Sequence, residues 1–239
     1  MKFDKQNNVY TLIYIIVLVA IVGAALAFTS ISLKSKQQEN ASADQMRQIL
    51  ASVNIFPESK KIISEYNLYI KESFVVNSEG KTIPGKDAFS INVEKEIKKP
   101  VGERELPVYV ATLNNGEKKY VLPMYGAGLW GPIWGYISLD ENGSTVYGAY
   151  FAHQGETPGL GAEIEKPAFS DQFKGKNLFK DNSFFPIKVL KRGMKPEGNE
   201  DFVDGVSGGT ITSTGVSTMI DNCLSPYSKF LENLRNSKK

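Results

Sequence analysis

Twenty consecutive uncharged residues, Val9 to Phe28 (VYTLIYIIVLVAIVGAALAF), constrain this chain more than any other feature. A helix rises about 1.5 Å per residue, so this run spans about 30 Å, the thickness of a bilayer's hydrocarbon core. Tyr10 and Tyr14 lie toward one end, where an interfacial belt places aromatic side chains. Ala25-Leu26-Ala27 also fits a small-residue cleavage site, but the apolar run exceeds the usual signal core of about 7–15 residues. A retained single-pass anchor is therefore the expectation, and a cleaved signal peptide the alternative. Lys2 and Lys5 precede the run, and Lys34 and Lys36 follow it, so side-chain charge barely orients it. The amino-terminal charge tips the balance to N-inside and places the rest of the chain outside the cytoplasm. The expected division is an N-terminal tail (1–8), a transmembrane helix (9–28), a polar juxtamembrane stalk (29–41) and one extracytoplasmic domain (42–239).

The soluble part is large enough to bury a core, with 41% hydrophobic residues in the 239-residue chain. Its charge is balanced at a net +2, which argues against a nucleic-acid binder. The lone cysteine, Cys223, excludes an internal disulfide and any multi-cysteine metal or iron–sulfur site. The lone histidine, His153, excludes multi-histidine metal sites, and no nucleophile-elbow glycine pattern surrounds a serine. No residue is assigned a catalytic role of its own, and no metal site is expected.

Periodicity predicts an α+β domain. Ser42 can cap a helix in which Met46, Ile49, Leu50 and Val53 share a face, and Pro57 interrupts it. A second amphipathic stretch, Glu58 to Lys71, carries Ile62, Ile63, Tyr66 and Ile70 on one side. From Leu106 to Gln154 four Val-, Tyr- and Ile-rich segments, separated by Asn114-Asn115-Gly116 and Glu141-Asn142-Gly143, read as antiparallel hairpins. A short acidic helix and one more strand, Pro186 to Gly193, follow. The tail from Thr212 to Arg235 is helical by period, divided at Pro226.

Three glycine-rich segments interrupt this pattern. In Asp204-Gly-Val-Ser207-Gly208-Gly209-Thr210-Ile-Thr212 a glycine turn runs straight into a helix. Helix N-termini carry unpaired N–H groups and partial positive charge, and glycines let a ligand approach the backbone. Together they suit a phosphate, with the hydroxyls of Ser207, Thr210, Thr212, Ser213 and Thr214 as further donors. An ordinary capping cluster is the plainer reading. In His153-Gln-Gly-Glu156-Thr157-Pro-Gly159-Leu160-Gly161 a shaped loop follows a strand and offers an acceptor and a hydroxyl to a planar heterocycle; His153 itself reads as structural. Gly126-Ala-Gly128-Leu129-Trp130-Gly131 sets aromatic surface beside bendable backbone, or else marks a bulge with core tryptophans.

In this order the three segments resemble the family of covalent-FMN C subunits of sodium-translocating NADH:quinone oxidoreductases, along nearly the whole chain. That family's motif, Asp-x-x-Ser/Thr-Gly-Ala-Thr, carries FMN as a phosphoester on its last threonine. Here it reads Asp204-Gly-Val-Ser207-Gly208-Gly209-Thr210, with Gly209 where alanine is usual. The resemblance implies Thr210 as the attachment site, with Asp204, Ser207, Gly208, Gly209 and Thr212 about the phosphate. It places Glu156, Thr157, Gly159 and Leu160 against the isoalloxazine and Trp130 at its border. Lys191, at the end of the expected last strand, is the candidate for a positive charge that raises the flavin's potential.

The implied role is electron relay in a complex that oxidises NADH, reduces ubiquinone and pumps Na+ outward. The implied partners are the other membrane and NADH-oxidising subunits, a flavin transferase for maturation, and membrane lipid. The implied location is the bacterial inner membrane, with the domain on the periplasmic side. The one G-x-G-x-x-G, Gly126 to Gly131, runs into another expected strand rather than into a helix, so NADH binding by this chain is not expected. Two alternatives stand beside this one: the related covalent-flavin subunit of an Rnf-type ferredoxin:NAD oxidoreductase, and a membrane-anchored scaffold without cofactor.

Overall fold

The structure, a computed structural model, describes residues 8–237. They fall into two compact units divided after Gln45. The first unit is the greater part of helix α1, which runs Asn8–Ser52. Residues 8–41 are exposed throughout, Phe28 at 76% and Leu26 at 66%. A helical stretch apolar on every side, as over residues 9–28, suits a bilayer. Among the described residues it is the one helix long and apolar enough to span a membrane.

Residues 29–41 are not a break. They continue α1, and Ser42, expected to cap a new helix, lies inside it. The segment contains no Gly or Pro and is rich in Lys, Gln and Glu, so nothing in it stops a helix already nucleated. Of the expected tail, residues 1–7 lie outside the described residues and Asn8 begins the helix.

The second unit begins with the last turns of α1, buried from Gln48 to Ser52. These end in a Schellman cap. Asn54 takes φ 60°, Ile55 N–H donates to Leu50 O, and Asn54 N–H donates to Ala51 O, each at 3.0 Å. Helix α2 (Ile62–Tyr69) then runs directly into strand β1 (Ile70–Val76). The expected amphipathic stretch, Glu58 to Lys71, is thus helical as far as Tyr69 and departs from expectation at its last two residues. Ile62 and Tyr66 are buried, but Ile63 faces solvent and Ile70 already belongs to the strand. The remaining early elements are β2 (Thr82–Ile83) and the short helix α3 (Val93–Glu96).

The four expected strands are present as β3 (Leu106–Thr112), β4 (Lys118–Ala127), β5 (Pro132–Asp140) and β6 (Val146–His153). With β1 and β2 they form one antiparallel sheet, ordered β2-β1-β3-β4-β5-β6. The acidic segment after β6 is a 3-10 turn at Gly161–Glu165 followed by α4 (Pro167–Ser170). A small hairpin follows, β7 (Phe179–Lys180) with β8 (Ser183–Phe184), and then a parallel pair, β9 (Lys188–Leu190) with β10 (Phe202–Asp204). The chain ends in α5 (Thr210–Leu224) and α6 (Ser228–Asn236), divided by a 3-10 turn containing Pro226, as expected.

Both faces of the sheet are covered, so alternate residues of one strand enter different cores. Leu122 and Met124 of β4 pack in the core that contains Val216, Met219 and Ile220 of α5. Val121 enters the core that contains Ile49, Leu50 and Tyr66. This accounts for the nearly unbroken apolar run in β3, where a sheet with one wet face would alternate.

Strand β4 outruns β3, which pairs with it only as far as Val121. Beyond that point Pro123 has no N–H to leave unpaired. Tyr125 finds Cys223 of α5: its N–H donates to Sγ at 3.4 Å, and the thiol donates to its carbonyl at 3.3 Å. Burial raises the thiol pKa to about 11, keeping it a donor. The lone cysteine thus holds the C-terminal end of α5 against the part of β4 that β3 does not pair.

Candidate functional site

The first glycine segment leaves β10 and turns into α5. Asp204 closes the parallel pair opposite Leu190, and Gly205 N–H donates to Leu190 O at 2.6 Å. The turn is closed by Val206 N–H on Ser213 Oγ at 2.9 Å and by Ser213 N–H on Gly209 O at 2.9 Å. Gly208 sits at φ +75°, a conformation costly for a residue with a Cβ, and that Cβ would also lie 2.6 Å from Leu160 Cδ2. Gly209 occupies the N-cap of α5 and brings no side-chain acceptor. The first-turn N–H groups that a serine or aspartate would ordinarily satisfy are left for another partner.

Helical spacing then sorts the hydroxyls. Thr210, Ser213 and Thr214, at i, i+3 and i+4, share one face. With Lys191, Arg192, Ser207 and Gly208 they line a cavity of about 120 Å³ at the helix N-terminus. Thr210 itself is exposed. Donors, cations and helix polarity converge there, and the set fits a phosphate. Exposed apolar side chains lie on the adjoining loops, Leu160 at 43% and Trp130 at 69%.

Thr212, two residues on, points the other way and is buried. Its hydroxyl donates to Glu156 Oε2 at 2.5 Å. The other carboxylate oxygen, Oε1, accepts Trp130 N–H at 2.9 Å. Glu156 is only 4% exposed, and its own N–H donates to His153 Nδ1 at 3.1 Å. One carboxylate therefore joins all three glycine segments. Two of the glycines make room for it: a Cβ on Gly128 would strike Oε1, and a Cβ on Gly161 would strike Oε2 and the Thr212 hydroxyl. Burial opposes ionisation of Glu156, but the Thr212 hydroxyl, the Trp130 and Leu129 amides and His153 outweigh it, and the carboxyl is held below its usual range.

A depressed carboxyl pKa stabilises the fold above the unfolded value, about 4.3, and that stabilisation is lost as pH falls through the lower folded value. The stability gap between the wild type and Glu156→Gln should therefore be widest at neutral pH and close in acid below about pH 4. Urea unfolding of both proteins from pH 7 to pH 3 checks this. A gap independent of pH would show that the charge contributes nothing.

The expected site residues thus divide. Thr210, Ser207, Gly208 and Lys191 come together at the cavity, with Leu160 against Gly208. Glu156 and Thr212, expected at the cofactor, are bonded to each other and do not line this cavity. Asp204 is held by its backbone, N–H on Gln172 Oε1 at 3.0 Å, and does not line the cavity. Thr157 and Gly159 shape the exposed turn: the Thr157 carbonyl accepts Leu160 and Ala162 N–H, and Gly159 takes φ +75°. His153, expected to be structural, accepts Glu156 N–H on Nδ1 and lies 3.8 Å from Glu165 Oε1 through Nε2. Arg192 was missed. Its only signal was adjacency to Lys191 beyond a strand too short to fix which of two successive cations faces the site.

Residues 128–225, which include all of the first two segments and most of the third, match the family model of an FMN-binding domain. The C subunit of the Na(+)-translocating NADH-quinone reductase of Vibrio anguillarum is 32% identical over 254 residues, covering 99% of this chain and 98% of that protein. The chain belongs to this C-subunit family. The C subunit of Vibrio alginolyticus is 31% identical over the whole of this chain and 99% of its own. The crystal structure of the Parabacteroides distasonis C subunit superposes with a TM-score of 0.78 at 50% identity, covering 83% of this chain and 96% of that one. NqrC of Shewanella oneidensis, at 24% identity and a TM-score of 0.68, shares the fold. The relatives named here are C subunits of quinone reductases, the family that Gly128-Leu129-Trp130 was expected to resemble more than the Rnf type. The FMN-binding match also covers the segments that a cofactor-free scaffold would use only as turns.

Proposed function

We propose that this chain is the membrane-anchored flavin subunit of an Na(+)-translocating NADH-quinone reductase, with FMN held as a phosphoester on the Thr210 hydroxyl. The observation that carries this reading is the exposed Thr210 at the first position of α5, beside a cap with no side chain and a cavity lined by Lys191 and Arg192. Bound FMN supplies the electron transfer. The chain's residues set its position and surroundings. The α5 N–H groups and the Ser207 and Thr214 hydroxyls hold phosphate oxygens, and Lys191 and Arg192 offset their charge. Leu160 and Trp130 offer apolar surface to the isoalloxazine, and the Thr157 hydroxyl offers a hydrogen bond to its edge. A cation such as Lys191 favours added negative charge and raises the potential.

In this role the protein passes electrons between other membrane and NADH-oxidising subunits on their way to ubiquinone, within a complex that moves Na+ outward. Helix α1 anchors it in lipid of the inner membrane, with the domain on the periplasmic side, and a flavin transferase installs the FMN. Peptide mass spectrometry on protein from its native membrane tests the assignment. FMN mass on the peptide containing Thr210 is the expected result. An unmodified Thr210 peptide, from cells that flavinylate other proteins, overturns it.

A further inference from the structure

The buried Glu156–Thr212 contact has no counterpart in the needs of the core. The large aliphatic and aromatic cores lie on the two faces of the sheet, and Glu156 and Thr212 are buried polar residues bonded to each other. A buried ionised group is a weak source of net stability, since desolvation offsets most of what its partners return. It is a strong source of geometric definition, because each oxygen demands donors in fixed directions. Here the demand is met from two separate elements. Thr212 comes from the first turn of α5 and Trp130 from the β4–β5 turn, while Glu156 sits on the loop after β6. Gly128 and Gly161 leave the space that the carboxylate fills.

Helix geometry turns this contact into a constraint on Thr210. Residues two apart on an α-helix point about 200° from one another. Fixing the Thr212 hydroxyl inward on Glu156 therefore fixes Thr210 outward, toward the cavity it shares with Ser213 and Thr214. The first turn of a helix is the part most free to fray, and Gly209 gives this one no side-chain cap. The Glu156 clamp supplies the definition that the missing cap does not.

We infer that Glu156 is a positioning residue of the flavin site, which through Thr212 sets the rotation of the first turn of α5 and so presents the Thr210 hydroxyl for modification. The inference rests on the reading that Thr210 carries the flavin. It assigns Glu156 no contact with the flavin.

The test is a time course of flavin incorporation into the full-length protein, coexpressed with a flavin transferase and followed by intact mass and flavin fluorescence. The variants are Glu156→Gln, Thr212→Val and Thr212→Ser, each with its flavin-free unfolding temperature measured. Losing a charge-assisted hydrogen bond at the clamp should slow incorporation about tenfold or more in Glu156→Gln and Thr212→Val. Thr212→Ser retains the hydroxyl and should stay within about twofold of wild type. Rescue by serine separates positioning from packing, because serine packs less well than valine in a buried site. Incorporation into Thr212→Val at the wild-type rate overturns the inference. If Glu156→Gln does not fold, the Thr212 pair decides alone: equal rates for Val and Ser overturn it, and a slow Val with a normal Ser supports it. Absence of flavin from the wild-type Thr210 peptide would be a failure of the underlying reading, distinct from either result.

Discussion

Thr210→Val should yield a folded, anchored protein with no covalent flavin, in cells where the unsubstituted chain is labelled. Valine keeps the branched shape of threonine and removes only the hydroxyl. Thr210 is exposed, and the bonds that close the turn run between Val206, Gly209 and Ser213 rather than through its side chain. Surface substitutions of this kind change stability by about 0.5 kcal/mol or less. A phosphoester, by contrast, has no other oxygen to form on at that position, so labelling should be lost completely rather than reduced. Thr210→Ser restores the oxygen and should restore the label. Intact mass, visible absorbance and thermal unfolding of the three proteins check this together. Covalent flavin persisting in Thr210→Val would remove Thr210 from the mechanism. Thr214, one turn along the same face, would then be the residue to test.

The sequence displayed the site's parts more plainly than their connections. The four long strands were legible because β-branched and aromatic residues cluster between Asn-Gly turns, and Pro226 marked the division of the C-terminal helices. β1 was not legible. It follows α2 without a turn, and its first residue, Ile70, continues the helical spacing of Ile62 and Tyr66. β10 is three residues long and stands only because it pairs with β9, a long-range fact with no local signal. Thr210 could be singled out from its glycine turn and the family resemblance. The partnership of Glu156 with Thr212 could not, since it joins residues 56 apart and depends on the space left by Gly128 and Gly161. Glycine in a loop signals freedom; only the structure distinguishes Gly208, needed for its backbone angle, from Gly161, needed for room.

Phe151→Ala should damage the domain's stability severely, and it should disturb the site from below. Phe151 is 1% exposed on β6 and lies opposite Gly135 of β5, whose missing side chain its ring covers. It packs against Phe169 and Phe173 with ring centroids 5.4 and 5.0 Å away, and those two rings are 5.5 Å from each other. Truncating a buried phenylalanine costs about 3–5 kcal/mol, because the two rigid rings left behind cannot collapse fully into the space. At about 2–4 °C per kcal/mol for a domain of this size, the unfolding temperature should fall by about 10 °C. The loop bearing Glu156 and Leu160 leaves β6 two residues after Phe151 and returns through Phe169 and Phe173, so the trio pins both of its ends. Flavin incorporation should therefore weaken along with stability. Trp130→Ala offers the contrast. Its side chain is 69% exposed, and its tie to Glu156 runs through the backbone, so thermal stability should hold within about 2 °C. Calorimetry of the two variants separates the cases. An unfolding temperature for Phe151→Ala within about 2 °C of wild type would mean that the trio does not support the loop, and that the Glu156 clamp holds it unaided.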